Sequence, residues 1–510
     1  MKIKIRALCF FICLIIILGY PLCFNSEDLF DSAVYSIDNF AAEAMDKTGT
    51  PGCSVAVVCK DKSLIKTYGF SNREAGELVT EDTLFEIGSV SKAFTALGIL
   101  YLEKQGLVDL NDSVKKYIPW LTLNFNGFYE GREYKGDVEV TVKHVFEHES
   151  GIPFNTIGYI PEGSSEDMLE RTVRNLADSE LEFFPGTQYL YATINYDILG
   201  LIIQYVSGQS YEDFMIEKIF RPLKLYNTYI RRGDALATGK FAKGYKRLFM
   251  TSQPYDAPEY RGNTPAGYIV TNAVDMIRWM QIQMGIADDI PQFYEELIKR
   301  SHTYREEPLN LGDTVFSAGW SLTIGTGQLS FAGSNPNFAA SIMMDMKSKT
   351  GICVLENQNS NASGHIASNF FNTLNKTGYT EITTDMYQSQ DDTFTVVFLN
   401  ILIFSAVILI LILITVTQII RKKRIRAEIT YKTVITLLSV TAVTAILVFI
   451  LIKIPSMMFF GFPWEAISVW GSSLILISFI TAVCSVLLFY IYAVLLMFYE
   501  KSGKKNYFLE

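Results

Sequence analysis

Histidine is scarce in this chain: His144, His148, His302 and His365 are all that its 510 residues contain. A Ser-His-Asp arrangement therefore has few candidates. His148-Glu149 lacks the second histidine of HExxH, and no CxxC, no GxGxxG and no Gly-Lys-Ser/Thr phosphate loop occurs. A zincin reading and a phosphate-cradling reading have no motif to rest on. Charge is also low, at 19% of residues, with a net −9. The negative balance argues against a nucleic-acid partner. Apolar residues make up 49%. That is too many for a disordered chain and too many for an ordinary soluble enzyme of this length.

The apolar excess is localised. Residues 1–26 open with Lys2, Lys4 and Arg6, followed by an apolar run from Ala7 to Leu18. This reads as an export signal, retained as an anchor if it is not cleaved. Near the other end, residues 393–420, 433–452 and 466–499 are apolar runs without a charged residue. Each is long enough to cross an apolar layer of about 30 Å at about 1.5 Å per residue. Arg421, Lys422, Lys423, Arg424 and Arg426 fill the first loop, and Lys501, Lys504 and Lys505 the tail at 501–510. The positive-inside rule puts both in the cytoplasm and residues 27–392 outside the cell. Of the net −9, residues 1–26 contribute +3 and residues 396–510 contribute +6, leaving −18 on 27–395. The expected organisation is a signal or anchor at 1–26, an outer domain at 27–380, a polar linker at 381–392 and three spans within 393–500.

Cysteine offers little. Cys53 and Cys59 fall six apart in one strand-like run and cannot pair with each other, so either a bridge to Cys353 or packed free thiols remain. Within the outer domain, residues 29–46 have helical periodicity, and 53–59 and 63–70 read as strands joined by a turn at 60–62. Helices are expected at 91–106, 141–150, 166–178, 194–207, 211–220 and 363–374. Strands are expected at 317–324, 339–346 and 351–357. Strands at both chain ends around a helical middle imply an α+β fold, one antiparallel sheet flanked by helices with a helical subdomain.

With imidazole scarce, a serine whose base is a lysine deserves a search. S-x-x-K on a helix start places Lys one turn from Ser on the same face. An amine taken out of water loses part of its preference for the charged form and can accept the Ser proton. The outer domain holds three such pairs: Ser63/Lys66, Ser113/Lys116 and Ser89/Lys92. Ser63 lies in a period-2 strand, which sends the pair to opposite faces. Ser113 lies in a polar segment before Pro119. Only Ser89 follows a glycine turn and begins an apolar helix.

The segment around it, LFEIGSVSKAFTALGILYLEKQGLVDLNDSV (84–114), resembles the serine β-lactamase and D-Ala-D-Ala carboxypeptidase superfamily, class C branch. So do HESGIP (148–153), FPGTQYLYATINYDILGLII (184–203), PAGYIVTNAVDMIRWM (265–280) and FAGSNPNFAASI (331–342), in family order. The resemblance implies the β-lactamase/transpeptidase-like fold. It makes Ser89 the acyl-forming nucleophile, Lys92 its base and Tyr191 the second proton-transfer group. The backbone N–H groups of Ser89 and Ser334 would form the oxyanion hole. Two positions depart from the pattern. Thr193 replaces the Asn of Tyr-x-Asn, and Phe331-Ala332-Gly333 replaces the Lys-Thr-Gly block. The literal Lys-Thr-Gly triplets at 349–351 and 376–378 read as a turn and a linker. Without that cation a substrate carboxylate would lose hydration and gain no charge partner.

An export signal, a class-C-like domain and three spans together resemble the membrane-anchored D-asparaginyl peptidases that activate nonribosomal-peptide prodrugs, the colibactin-maturing and zwittermicin-type group. LNFNG (123–127), IPFNT (152–156), SNPNF (334–338), ENQNSN (356–361) and VWGSS (469–473) carry that likeness. It implies hydrolysis of an N-acyl-D-asparagine cap from an exported acylated peptide or natural-product precursor. Thr193, Asn335 and Asn263 would then be the uncharged substrate-binding groups for a primary carboxamide. No metal or cofactor is implied. The expected surroundings are the lipid bilayer, and a homodimer is compatible with them. Two other readings compete: a general D-Ala carboxypeptidase, β-lactamase or esterase, and a weakly catalytic membrane sensor.

Overall fold

The structure, a computed structural model, describes residues 26–177, 179–304, 312–459 and 461–502. The expected signal segment lies outside the described residues but for Ser26, and so does the tail but for Lys501 and Ser502. The sheet is built from both chain ends. Helix α1 (Ser26–Thr48) leads into β1 (Gly52–Cys59), β2 (Lys62–Asn72) and the short β3 (Glu77–Leu78). After the helical middle, which includes α2 (Ser91–Lys104) and α3 (Ile194–Ser207), come β4 (Thr314–Ser317), β5 (Trp320–Thr323), β6 (Gln328–Asn335), β7 (Phe338–Asp345) and β8 (Thr350–Glu356). The spatial order is β4-β5-β6-β7-β8-β1-β2-β3, with every neighbouring pair antiparallel. Helix α4 (Ala362–Asn375) closes the domain. This is the expected α+β arrangement.

Alternation along the central strands divides the core in two. Cys53, Val55 and Val57 of β1 pack under α1 and α4, with Ile37, Ala41, Ile366 and Phe370. Ala56 and Val58 point the other way, into the larger core with Phe94, Trp279 and Trp320. Cys353 stands opposite Ala56 and joins that second core, so it faces away from Cys53 and Cys59. All three thiols are free. The bridge left open by the sequence is excluded by the period of two.

Several expected elements are shortened or divided. The strand read at 317–324 is a hairpin, because Ala318 (φ +50°) and Gly319 (φ +80°) turn the chain between β4 and β5. The helix read at 141–150 is Val142–Phe146, and His148, at φ +57°, cannot continue it. The helix read at 166–178 is Met168–Arg174, whereas that read at 211–220 runs its full length, α-helical over Tyr211–Met215 and a π-helix over Ile216–Phe220. β6, which reads poorly as a strand in FAGSN, is a full partner of β7. Both literal Lys-Thr-Gly triplets start at a left-handed residue, Lys349 at φ +56° just before β8 and Lys376 at φ +55° just after α4.

Among the described residues, three helices are long and apolar enough to cross a membrane: α5 (Met386–Ile420), α6 (Tyr431–Met458) and α8 (Ser473–Phe498). The linker is shorter than its polarity suggests, since α5 starts inside it. Asp385 caps α5, Asp392 pairs with Arg247 at 3.1 Å, and buried Asp391 accepts from the Met250 amide at 2.7 Å. The long run at 466–499 is also broken. A short helix α7 (Trp464–Trp470) stops at Gly471, and Ser472 caps α8. Lys246 of the sheet-and-helix domain donates to the carbonyls of Ser468 and Val469 at the end of α7. Phe462, just before α7, stacks on Phe154, and Tyr159 donates to the Gly461 carbonyl. At the opposite ends of the spans, the basic loop Arg424–Arg426 pairs with Tyr499–Lys501.

Candidate active site

Ser89 sits at the middle of a single 3-10 turn, Gly88–Val90, that feeds directly into α2. Gly88 has φ +51°, and a Cβ there would lie 2.4 Å from the Ser334 nitrogen. A Cβ on Gly333 would lie 2.0 Å from the Ile87 carbonyl oxygen and 2.7 Å from the Ser89 nitrogen. The nucleophile turn and strand β6 are therefore in backbone contact, which only two facing glycines permit. This contact brings the Ser89 and Ser334 backbones onto adjoining segments.

One helical turn after Ser89, Lys92 is fully buried. Its three donors meet three acceptors: Ser89 Oγ at 3.1 Å, Thr193 Oγ1 at 3.0 Å and the Ala266 carbonyl at 2.7 Å. The Tyr191 hydroxyl lies 2.7 Å from Ser89 Oγ. Lys92 Nζ also sits 5.1 Å from the Tyr191 ring centre. One hydroxyl thus stands within hydrogen-bond reach of an amine and a phenol, the arrangement a proton needs to leave it and return. The other two S-x-x-K pairs are structural. Lys66 pairs with Asp38, and Ser113 caps a short helix while Lys116 pairs with Asp112.

The remaining expected residues are placed differently. Thr193 contacts Lys92, so it holds the amine rather than standing alone in a substrate pocket. Asn335 is buried, and its amide nitrogen donates to Glu86 at 2.6 Å and to the Gly267 carbonyl at 2.9 Å. Asn263 is buried against Asp197, its amide 2.9 and 3.1 Å from the two carboxyl oxygens. Both amide nitrogens are engaged within the protein. Of the expected substrate-binding amides, neither nitrogen is turned to the space beside Ser89.

The sequence reading missed three neighbours. His148 is buried with its ring 4.5 Å from the Tyr191 ring and takes a contact from Asn195 at 2.9 Å on Nδ1. Burial, with Lys92 close by, holds this imidazole well below its usual range, so it stays neutral. Asp197 is buried one turn into α3, where desolvation pushes its carboxyl well above the carboxylate range against the pull of Lys92. Glu86 clasps Asn335. The one signal for His148 was its HESGIP block; Asp197 and Glu86 look like ordinary helix and strand residues in sequence. Past Tyr191, Phe331 is half-buried, 6.5 Å from its ring and 5.5 Å from Phe316. An aromatic wall occupies the position where the Lys-Thr-Gly block would supply a cation.

The fold and this serine-lysine-tyrosine cluster are of the β-lactamase type. The beta-lactamase family model matches residues 37–372, and the chain belongs to that family. It is similar to protein flp of Staphylococcus aureus (strain MW2), 29% identical over 333 residues, which is 64% of this chain and 63% of that protein. The match therefore spans less than two thirds of the length of that relative. A beta-lactamase of Yersinia enterocolitica is 27% identical over 56% of this chain and 68% of its own length. Among solved structures, the octameric penicillin-binding protein homologue from Pyrococcus abyssi has a TM-score of 0.56 at 24% identity, covering 71% of this chain and 81% of that one. A class C beta-lactamase also gives 0.56 at 24% identity, covering 68% and 97%. These two likenesses concern the fold.

Proposed function

We propose that this protein is a membrane-anchored serine peptidase that removes an N-acyl-D-asparagine cap from an exported peptide or natural-product precursor. Ser89 Oγ attacks the amide carbonyl carbon, and its proton passes to Lys92 or Tyr191. The developing oxyanion is met by the backbone N–H groups of Ser89 and Ser334. The C–N bond breaks as the amine leaves with that proton. Water then hydrolyses the acyl-enzyme, its proton following the same path back to the site.

The observation that carries the reading is the 2.7 and 3.1 Å contacts of Ser89 with Tyr191 and Lys92. The choice of acyl group is supported by what surrounds them. Phe331 offers no charge to a substrate carboxylate. Asn335, with its nitrogen fixed by Glu86 and Gly267, keeps its carbonyl oxygen as an acceptor for a donor such as a primary carboxamide. The catalytic domain and the basic loop 424–426 lie at opposite ends of the spans, which supports placing the domain on the extracytoplasmic face.

A second reading is a D-Ala carboxypeptidase, β-lactamase or esterase, favoured by the likeness to the Yersinia beta-lactamase. The full chain in lipid nanodiscs, offered N-myristoyl-D-asparaginyl, L-asparaginyl and D-alanyl amides, separates the two. Release of the D-asparagine cap, lost in Ser89→Ala, is expected. Preference for the D-alanyl compound would establish the second reading instead.

A further inference from the structure

Glu86 stands three residues before the nucleophile, in a two-residue strand paired with Val270–Thr271, and is 4% exposed. Its carboxylate accepts from Asn335, the residue that follows Ser334 at the end of β6. The same amide nitrogen reaches the Gly267 carbonyl, one residue beyond the Ala266 carbonyl that receives Lys92. One side-chain amide therefore ties together the nucleophile turn, the strand carrying Ser334 and the segment that anchors the amine.

We propose that Glu86 is a positioning residue for acylation: by holding the Asn335 amide it sets the spacing between the Ser89 turn and the Ser334 strand. The proposal rests on the acylation reading of Ser89 and not on the identity of the acyl group. The bond matters because the two backbones meet closely at Gly88 and Gly333, which carry no side chain to lock them. Without Glu86 one of the two buried amide hydrogens of Asn335 would lose its acceptor, and the local structure would shift to find it a partner.

A cavity of about 270 Å³ is lined by Glu86, Arg232, Glu259, Tyr260, Thr264 and Tyr268, and the buried Tyr268 hydroxyl facing it has no hydrogen-bond partner among the described residues. The charged groups around Glu86 are Arg232 at 3.7 Å, itself paired with Asp256 at 2.9 Å, and Glu259. Burial pushes the Glu86 carboxyl up to about 7, opposed by Asn335 and Arg232 and reinforced by Glu259 and Asp256. Protonation replaces a charge-assisted bond to Asn335 with a weaker neutral one. The clasp is therefore tight above neutrality and loosens as pH falls.

The test is the rate at which a fluorophosphonate probe labels Ser89 in the full chain in nanodiscs. Labelling of the native protein is expected to be about tenfold faster at pH 8 than at pH 6, following the ionised fraction of one group. Glu86→Ala should label at least about tenfold more slowly at pH 8, the loss expected for one charge-assisted bond. Glu86→Gln keeps an acceptor but no titration. It should recover part of the rate lost in Glu86→Ala and show a ratio near one between the two pH values. An unchanged rate in Glu86→Ala, or an unchanged pH ratio in Glu86→Gln, would overturn the proposal. Should Glu86→Ala not fold, the Glu86→Gln ratio decides alone. A native chain that the probe never labels removes the acylation reading and this one with it.

Discussion

The Tyr191 hydroxyl and the Ser89 hydroxyl lie 2.7 Å apart although 102 residues separate them in the chain. The contact joins the first turn before α2 to the segment that opens α3. Lys92 bridges the same two elements through Ser89 and Thr193. A proton leaving the serine therefore has two destinations, and removing either should leave the other impaired.

Tyr191→Phe keeps the ring that packs on His148 and deletes only the hydroxyl. We expect kcat/KM for the released acyl group to fall by about 10²- to 10⁴-fold, the range for a proton-transfer group, with little change in thermal stability. Lys92→Met should lose at least as much. Steady-state kinetics beside melting curves will check both; a native-like rate in Tyr191→Phe would remove the phenol from the mechanism.

Phe331 puts an uncharged ring beside Tyr191, and on the proposed reading it disfavours substrates that bear a carboxylate. Phe331→Lys restores a cation beside the acylation pocket. A hydrogen bond to a charged group contributes about 1.5–3 kcal/mol, so carboxylate-bearing substrates such as a cephalosporin should gain about tenfold or more in acylation rate. Turnover of the uncharged amide should not gain. Equal gains for both would mean that charge is not the determinant at this position.

Gly333→Ala would place a methyl group 2.0 Å from the Ile87 carbonyl oxygen. Backbone must then move, and overpacking of this kind costs about 1–3 kcal/mol. The shift falls between Ser89 and Ser334, so acylation should drop more than the melting temperature suggests. Probe labelling compared with thermal unfolding will separate the two effects.

Glu356 titrates inside the fold. It is buried, and burial pushes its carboxyl from 4.5 up to about 7 despite bonds from Ser360, Ser363 and Thr50. A carboxyl raised in the folded state stabilises it fully below the unfolded value. That stability is lost as pH rises through about 7. The difference amounts to on the order of 3 kcal/mol. Glu356→Gln should flatten the fall in stability between pH 4.5 and 7, measured by denaturant unfolding at fixed lipid content. An unaltered slope would assign the pH dependence to other groups.

Much of this molecule is local, and local features were legible. Ser89 and Lys92 are one helical turn apart, so their partnership follows from helix geometry once Gly88 and the apolar run of α2 are recognised. The three spans follow from length and apolarity alone. Alternation in β1 placed Val55 and Val57 together. The hairpin at 318–319 was missed because an alanine, not only a glycine, takes a left-handed conformation there. β6 was missed because Ala332, Gly333 and Ser334 are weak strand formers, and its pairing with β7 comes from the sheet.

Sequence by itself determined the Ser89–Lys92 pair and the apolar spans, since each depends on residues a few positions apart. Tertiary structure decided where Asn335 and Asn263 turn their amides, that Glu86 and Asp197 receive them, that His148 packs on Tyr191, and that α7 meets Lys246. Those outcomes depend on which buried polar group finds a partner first across the fold, and a buried donor takes the acceptor that packing brings to it.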